Sequence, residues 1–135
     1  MPVKLEHLTE PTDDDFVDFE KIRNDTAPHG LAVDEPLREW ITENRWIVGG
    51  RFNDRIIGAL LAERTGDHVR LSKAGVRRIT QGRGVMHQML HFLCKWADEE
   101  SLTLEFNDSE DSLSEAILRR NFERQGDLLV YKRTK

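Results

Sequence analysis

Ten residues, Arg77-Arg78-Ile79-Thr80-Gln81-Gly82-Arg83-Gly84-Val85-Met86, join a strand-like run to an apolar-striped helix, and they constrain the fold more than any other stretch. A glycine turn that opens a helix leaves backbone N–H groups unpaired and aimed outward, and the helix dipole adds partial positive charge. Such a turn suits a phosphate or pyrophosphate. Arg77, Arg78 and Arg83 concentrate positive charge there in a chain whose net charge is -5. That overall balance argues against nucleic acid as the main partner, which needs a broad basic face.

The runs around this turn read as a mixed α/β sheet. Val3, Leu5 and Leu8 roughly alternate with polar residues, as in a first strand. Thr12 and Asp15 have the spacing of a capping box, followed by Phe16, Phe19 and Ile22 at helical spacing. Asp13, Asp14 and Asp15 then read as first-turn acids rather than as a metal site. Ala27-Pro28-His29-Gly30 breaks that helix, and Asp34-Glu35-Pro36 starts another with Leu37, Trp40 and Ile41 on one face.

Residues 46–52 and 55–62 read as two strands joined by a tight Asn53-Asp54 turn, since both residues tolerate positive φ. The second is apolar almost throughout and is expected to be central, covered on both faces. After the turn Thr65-Gly66-Asp67, residues 69–76 form a further strand in which Gly75 marks a bulge or a close backbone approach. The helix after the glycine turn carries a stripe of Val85, Met89, Phe92, Leu93 and Trp96, widened by Met86, Leu90 and Ala97. Residues 102–106 read as a strand parallel to 69–76, which makes a right-handed β-α-β unit. Ser112 and Glu115 open a short helix with Leu113, Ile117 and Leu118 inward, and residues 128–131 give the last strand.

At 135 residues the chain is expected to be one domain, residues 1–135, large enough to bury a core without disulfides or metals. Its 38% hydrophobic and 33% charged residues are those of an ordinary globular protein. A single cysteine, Cys94, allows no internal disulfide and points to a reducing compartment. With no signal pattern at Met1–Glu6 and no run of transmembrane length, a cytoplasmic location is expected.

The strand order and the turn together resemble the Gcn5-related N-acetyltransferase (GNAT) family, whose signature Gln/Arg-x-x-Gly-x-Gly/Ala binds the acetyl-CoA pyrophosphate. Gln81 and Gly84 match it, and Met86 stands where a small residue is expected. Asp18-Phe19-Glu20-Lys21-Ile22, the hairpin Gly50-Arg51-Phe52-Asn53-Asp54-Arg55, Val76-Arg77-Arg78-Ile79-Thr80 and Arg83-Gly84-Val85 are similar to the PanZ (PanM) group within that family. Relative to its shorter members, residues 36–44 look like an extra helix.

The resemblance implies the GNAT acyl-CoA N-acyltransferase fold, a central mixed β-sheet flanked by helices. It implies binding of acetyl-CoA or CoA, and regulation of the maturation and activity of aspartate α-decarboxylase by protein contact, without nucleic acid or membrane. Ala74, Gly75 and Val76 would pair with the pantetheine amides. Thr80, Gln81, Gly82, Arg83, Gly84, Val85, Met86 and His87 would hold the pyrophosphate. Arg77, Arg78 or Arg83 would meet the 3′-phosphate, for which a guanidinium is suited. Arg51 and Asn53 would touch the partner, the alternative being hairpin chemistry plus a solvated arginine.

An active N-acetyltransferase for a small-molecule or protein amine is the alternative function, and a GNAT-like domain that binds no CoA because of Met86 is a third. Acetyl transfer needs a base and often an acid for the thiolate. The tyrosine of many GNAT enzymes, set before a Gly-Phe pair that here reads Asn121-Phe122, falls on Ile117, which donates no proton. Glu63, at the end of a central strand, is the candidate catalytic base, against a solvated strand-end charge. Tyr131 reads as packing. His87 and His91 have a zinc-compatible spacing but no third ligand, so no metal is expected. Cys94 reads as an inert helix thiol, and Lys132, Arg133 and Lys135 as a solvated basic tail.

Overall fold

The computed structural model describes residues 2–107 and 122–132. It forms one seven-stranded mixed sheet with helices on both faces. The strands are β1 (Lys4–Leu8), β2 (Arg45–Phe52), β3 (Arg55–Thr65), β4 (His68–Val76), β5 (Thr103–Asn107), β6 (Glu123–Gln125) and β7 (Leu128–Tyr131). The helices are α1 (Asp13–Thr26), α2 (Leu37–Trp40) and α3 (Val85–Glu100), with a 3₁₀ turn at Arg78–Thr80. The sheet order is β1-β2-β3-β4-β5-β7-β6, and β4–β5 is the parallel pair.

Two cores sandwich the sheet, and strand alternation feeds both. Ile57, Leu60 and Ala62 of β3 join Val85, Met89 and Leu93 of α3 on one face. Ile56, Ala59 and Leu61 join Phe19 and Ile22 of α1 with Leu37 and Trp40 of α2 on the other. That accounts for the near-continuous apolar reading of β3. Thr12 and Asp15 close the capping box at the start of α1, each side chain accepting from the other's backbone N–H at 3.1 Å. Asn53 and Asp54 turn the β2–β3 hairpin at φ 49° and 67°.

Three readings are corrected and one strand is added. The second helix is a single turn of four residues, begun by Pro36 without a side-chain cap. Phe92 leaves the apolar stripe of α3 and is exposed, while Cys94 is buried in its place. Strand β3 runs on to Thr65. Residues 123–125 form β6, a strand whose three residues are all exposed, so no apolar pattern announces it. The helix expected from Ser112, with Ile117 and Asn121, and the tail residues Arg133 and Lys135 lie outside the described residues.

Candidate functional site

The site begins where the sheet comes apart. Strand β4 pairs with β5 only from His68↔Thr103 to Leu71↔Phe106. Beyond Leu71 no described strand pairs with the β5-facing edge of β4, while its other edge stays on β3 through Gly75↔Ala59 and Val76↔Gly58. Between Ser72↔Leu61 and Gly75↔Ala59 the register slips: two β4 residues, Lys73 and Ala74, face the single residue Leu60. This is a β-bulge, which bends the strand and turns its backbone groups away from the ladder. Lys73 sits at φ 53°, and its carbonyl accepts from the N–H of Leu31, itself at φ 54°, at 2.8 Å. Two non-glycine residues in the left-handed region, joined by one hydrogen bond, mark stored backbone strain at the bulge.

Helix α1 fixes the back of this strand. A Cβ on Gly75 would lie 3.0 Å from both Thr26 Oγ1 and Thr26 Cγ2, and one on Gly30 would lie 3.4 Å from the Gly75 Cα. The glycine at 75 therefore serves the close approach of α1 and the loop after it. On the opposite side Met89 of α3 fills the space over Gly50 and Gly58, where an added Cβ would meet its sulfur at 2.9 Å. That seats the first turn of α3 low against the sheet.

The glycine turn then presents a bare helix end. Gly84 caps α3 at φ 76° and ψ 17°, with no side-chain cap and no acidic residue in the first turn. Gly82 is also left-handed, at φ 80°, and neither glycine has another atom near its Cβ position. The first N–H groups of α3 are thus left to an external acceptor. Met86, in that first turn, is 7% exposed and packs into the core beneath α3.

These parts enclose a cleft of 630 Å³ lined by Ala74, Gly75, Val76, Thr80, Gln81, Gly82, Gly84, Val85, Met86 and His87, with Thr26 and His29. Ten of the expected ligand-binding residues are brought together. Arg83, the eleventh, lines a neighbouring groove instead. Thr26 and His29 line the cleft without being expected from sequence, because only the fold carries the loop after α1 onto β4. The Ala27-Pro28-His29-Gly30 break was the one available signal.

The neighbouring groove, of 520 Å³, shares Thr80 with the cleft and includes Lys21, Asn53, Arg55, Arg77, Ile79 and Arg83. Its charges are largely spoken for. Asp18, 3% exposed at its side chain, accepts from Arg55 and from the Ile56 N–H at 3.0 Å. Burial alone would raise the Asp18 carboxyl, but those donors outweigh it and hold the carboxyl below its ordinary value. Asp25 is likewise held low, first by the Arg78 N–H and then by Arg77 Nε at 2.7 Å. Arg78 and Arg83, in and beside the glycine turn, are exposed and make no ion pair among the described residues, so their guanidiniums are open to an outside anion.

Arg51 is also committed within the chain. It donates to Glu6 at 2.8 and 3.1 Å, to Asp15 at 3.0 Å and to the Asp54 carbonyl at 3.1 Å. Asn53 is exposed on the groove, and its side chain makes no hydrogen bond among the described residues. Glu63 lies outside the cleft. It pairs with Arg45 at 2.9 Å and shares a shallow depression with Thr65, His68, Arg70 and Glu105 at the closed end of β4. Tyr131 donates to Asp98 at 2.9 Å and packs on Phe122. Among the described residues no group of three or more His, Cys, Asp or Glu is placed to hold a metal, and no helix is long and apolar enough to cross a membrane.

Comparison with known proteins agrees with this geometry. A family model described as "Acetyltransferase (GNAT) domain, PanZ" matches residues 2–120. The PanD regulatory factor of Escherichia coli K12 is 30% identical over 90 residues, which span 67% of this chain and 65% of that protein. Among solved structures, an Escherichia coli chain described as a candidate N-acetyl transferase, YhhK, bound to coenzyme A, superposes with a TM-score of 0.70. It is 23% identical, over 98% of this chain and all of that one. The Escherichia coli ribosomal-protein-S18-alanine N-acetyltransferase superposes with a TM-score of 0.73 at 12% identity, over 96% of this chain and 91% of that one.

Proposed function

The chain belongs to the PanZ family of GNAT acetyltransferase domains, and from that premise we propose that it binds acetyl-CoA or CoA and regulates aspartate α-decarboxylase by contact. The observation that carries the reading is the cleft itself. One wall is the stretch of β4 whose β5-facing edge no described strand pairs, the other is the start of α3 without a side-chain cap, and both line the same cleft. An extended diamide attached to a pyrophosphate has the complementary chemistry. Its amides exchange hydrogen bonds with residues 74–76, its phosphates accept from the first turn of α3, and Arg78 or Arg83 takes the 3′-phosphate. Asn53 and the groove beside it form the surface offered to the decarboxylase, and Arg51 acts behind them as a brace for the hairpin. The cytoplasm, where Cys94 stays reduced, is the location that goes with this reading.

Bound coenzyme would favour the partner-competent state only through a difference in affinity between states. The test is to mix the protein with the decarboxylase proenzyme, with and without acetyl-CoA, and to follow complex formation and appearance of the pyruvoyl group. The expected result is a coenzyme-dependent complex with altered maturation. Absence of both effects overturns the regulator reading, and sustained amine-dependent thiol release would replace it with acetyl transfer.

A further inference from the structure

We infer that His29 reads the acyl end of the bound thioester and so sets the preference for acetyl-CoA over free CoA. This rests on the coenzyme reading above and adds to it a residue that distinguishes two ligands differing only at the sulfur.

The cleft has two chemically different ends. At one, the turn at 81–87 offers backbone N–H groups suited to phosphate. At the other, the bulge at Lys73-Ala74 is covered by the loop after α1. That loop is fastened there by the hydrogen bond from the Leu31 N–H to the Lys73 carbonyl and by the contact of Gly30 against Gly75. A ligand with its pyrophosphate at the turn and its amides along 76 to 74 has its sulfur where that loop stands. Thr26 and His29 are the loop's contributions to the lining. Thr26 already spends its hydroxyl proton on the Ile22 carbonyl, at 2.7 Å. The imidazole of His29 is exposed, and among the described residues no side-chain hydrogen bond occupies it. Its position in the loop is fixed by its backbone N–H, which donates to the Thr26 carbonyl at 3.0 Å.

An imidazole N–H is a donor for a thioester carbonyl oxygen, whereas free CoA ends in a thiol with no such acceptor. The contact therefore separates the two ligands, while every contact to pantetheine and phosphate is common to both. A side chain that discriminates by one hydrogen bond gives a modest ratio, unlike a backbone site that holds the whole coenzyme.

The experiment is calorimetric titration of wild type, His29→Ala and His29→Gln with acetyl-CoA and separately with CoA. Wild type is expected to favour acetyl-CoA. His29→Ala should weaken acetyl-CoA about three- to tenfold, as one net hydrogen bond implies, and leave CoA unchanged. His29→Gln, which keeps a donor, should retain most of the preference. Unchanged CoA binding also shows that the variant is folded. Equal binding of the two ligands by wild type, or a His29→Ala ratio equal to wild type, overturns the inference while leaving the coenzyme reading intact. Failure of wild type to bind either ligand overturns that reading itself.

Discussion

The cleft and the groove meet at Thr80 and are built on opposite principles. Three glycines, Ala74, Thr80 and two valines line much of the cleft, with His29, Gln81 and His87 as its longer polar side chains, and much of its polar chemistry comes from the β4 edge that no described strand pairs and the uncapped start of α3. The groove is lined by long charged side chains, yet Arg55 and Arg77 are held by carboxylates of α1, Asp18 and Asp25. Recognition in the cleft depends on where the chain goes, and recognition in the groove on which charges are left over. A surface rich in arginine thus offers fewer free cations than its composition promises.

The largest effect should come from closing the cleft without touching the groove. Gly84→Val puts a branched side chain at φ 76° and over the N–H groups of α3. Loss of two or more charge-assisted hydrogen bonds should lower CoA affinity on the order of a hundredfold in calorimetry. Next is Asp18→Ala, which strips the acceptor from the buried Ile56 N–H. Urea unfolding should show a loss of about 2–3 kcal/mol, with coenzyme affinity little changed in the folded protein.

The hairpin pair separates brace from contact. Arg51→Ala leaves Glu6 and the buried Asp15 without their cation and should cost about 1–3 kcal/mol of stability. Asn53→Gly keeps the positive φ and removes only the side chain, so stability should hold while the decarboxylase complex weakens about tenfold on a sensor surface. Equal effects of the two on stability would erase the distinction.

Acid should sharpen the contrast by the smallest margin. Asp18 and Asp25 have folded values below 3.8, so the unfolded chain takes up protons first as pH falls. Their stabilisation is complete above pH 3.8 and lost as pH drops through the folded values, and Asp18→Asn should flatten that limb. His7 adds an earlier slope. Burial lowers its folded value below 6.5, and Trp46 Nε1 donates to its Nδ1 at 3.0 Å. Its contribution is therefore full above pH 6.5 and declines as pH falls towards the folded value. Tryptophan-monitored melts of wild type and His7→Phe would separate the two slopes.

Much of the sheet could be read from sequence because the pattern is local. The Thr12–Asp15 cap and the Asn53-Asp54 turn each follow from residues a few positions apart, and the β4-α3-β5 crossover from three local runs in succession. The glycine turn was legible for the same reason. The bulge itself was signalled one step away, at Gly75, because a lysine does not announce a positive φ at position 73. What stayed hidden was pairing at a distance. The carboxylate partners of Arg51, Arg55 and Arg77 lie 36 to 52 residues away, so sequence alone does not say which guanidiniums remain free. Glu63 reads as a site candidate because the apolar run of β3 stops at Ala62, although the strand itself continues to Thr65. Which end of the neighbouring strand opens is decided by where β5 stops pairing.

The parting of β4 from β5 places, in the middle of the sheet, an edge that no described strand pairs. Raw edges at the rim of a sheet invite other chains to add a strand. This one lies in a slot between the loop after α1 and the first turn of α3. A visiting polypeptide would have to bring side chains into that slot at every residue, whereas a thin, unbranched amide chain need not. The protein can thus keep backbone valences open for a small guest without exposing them to self-association.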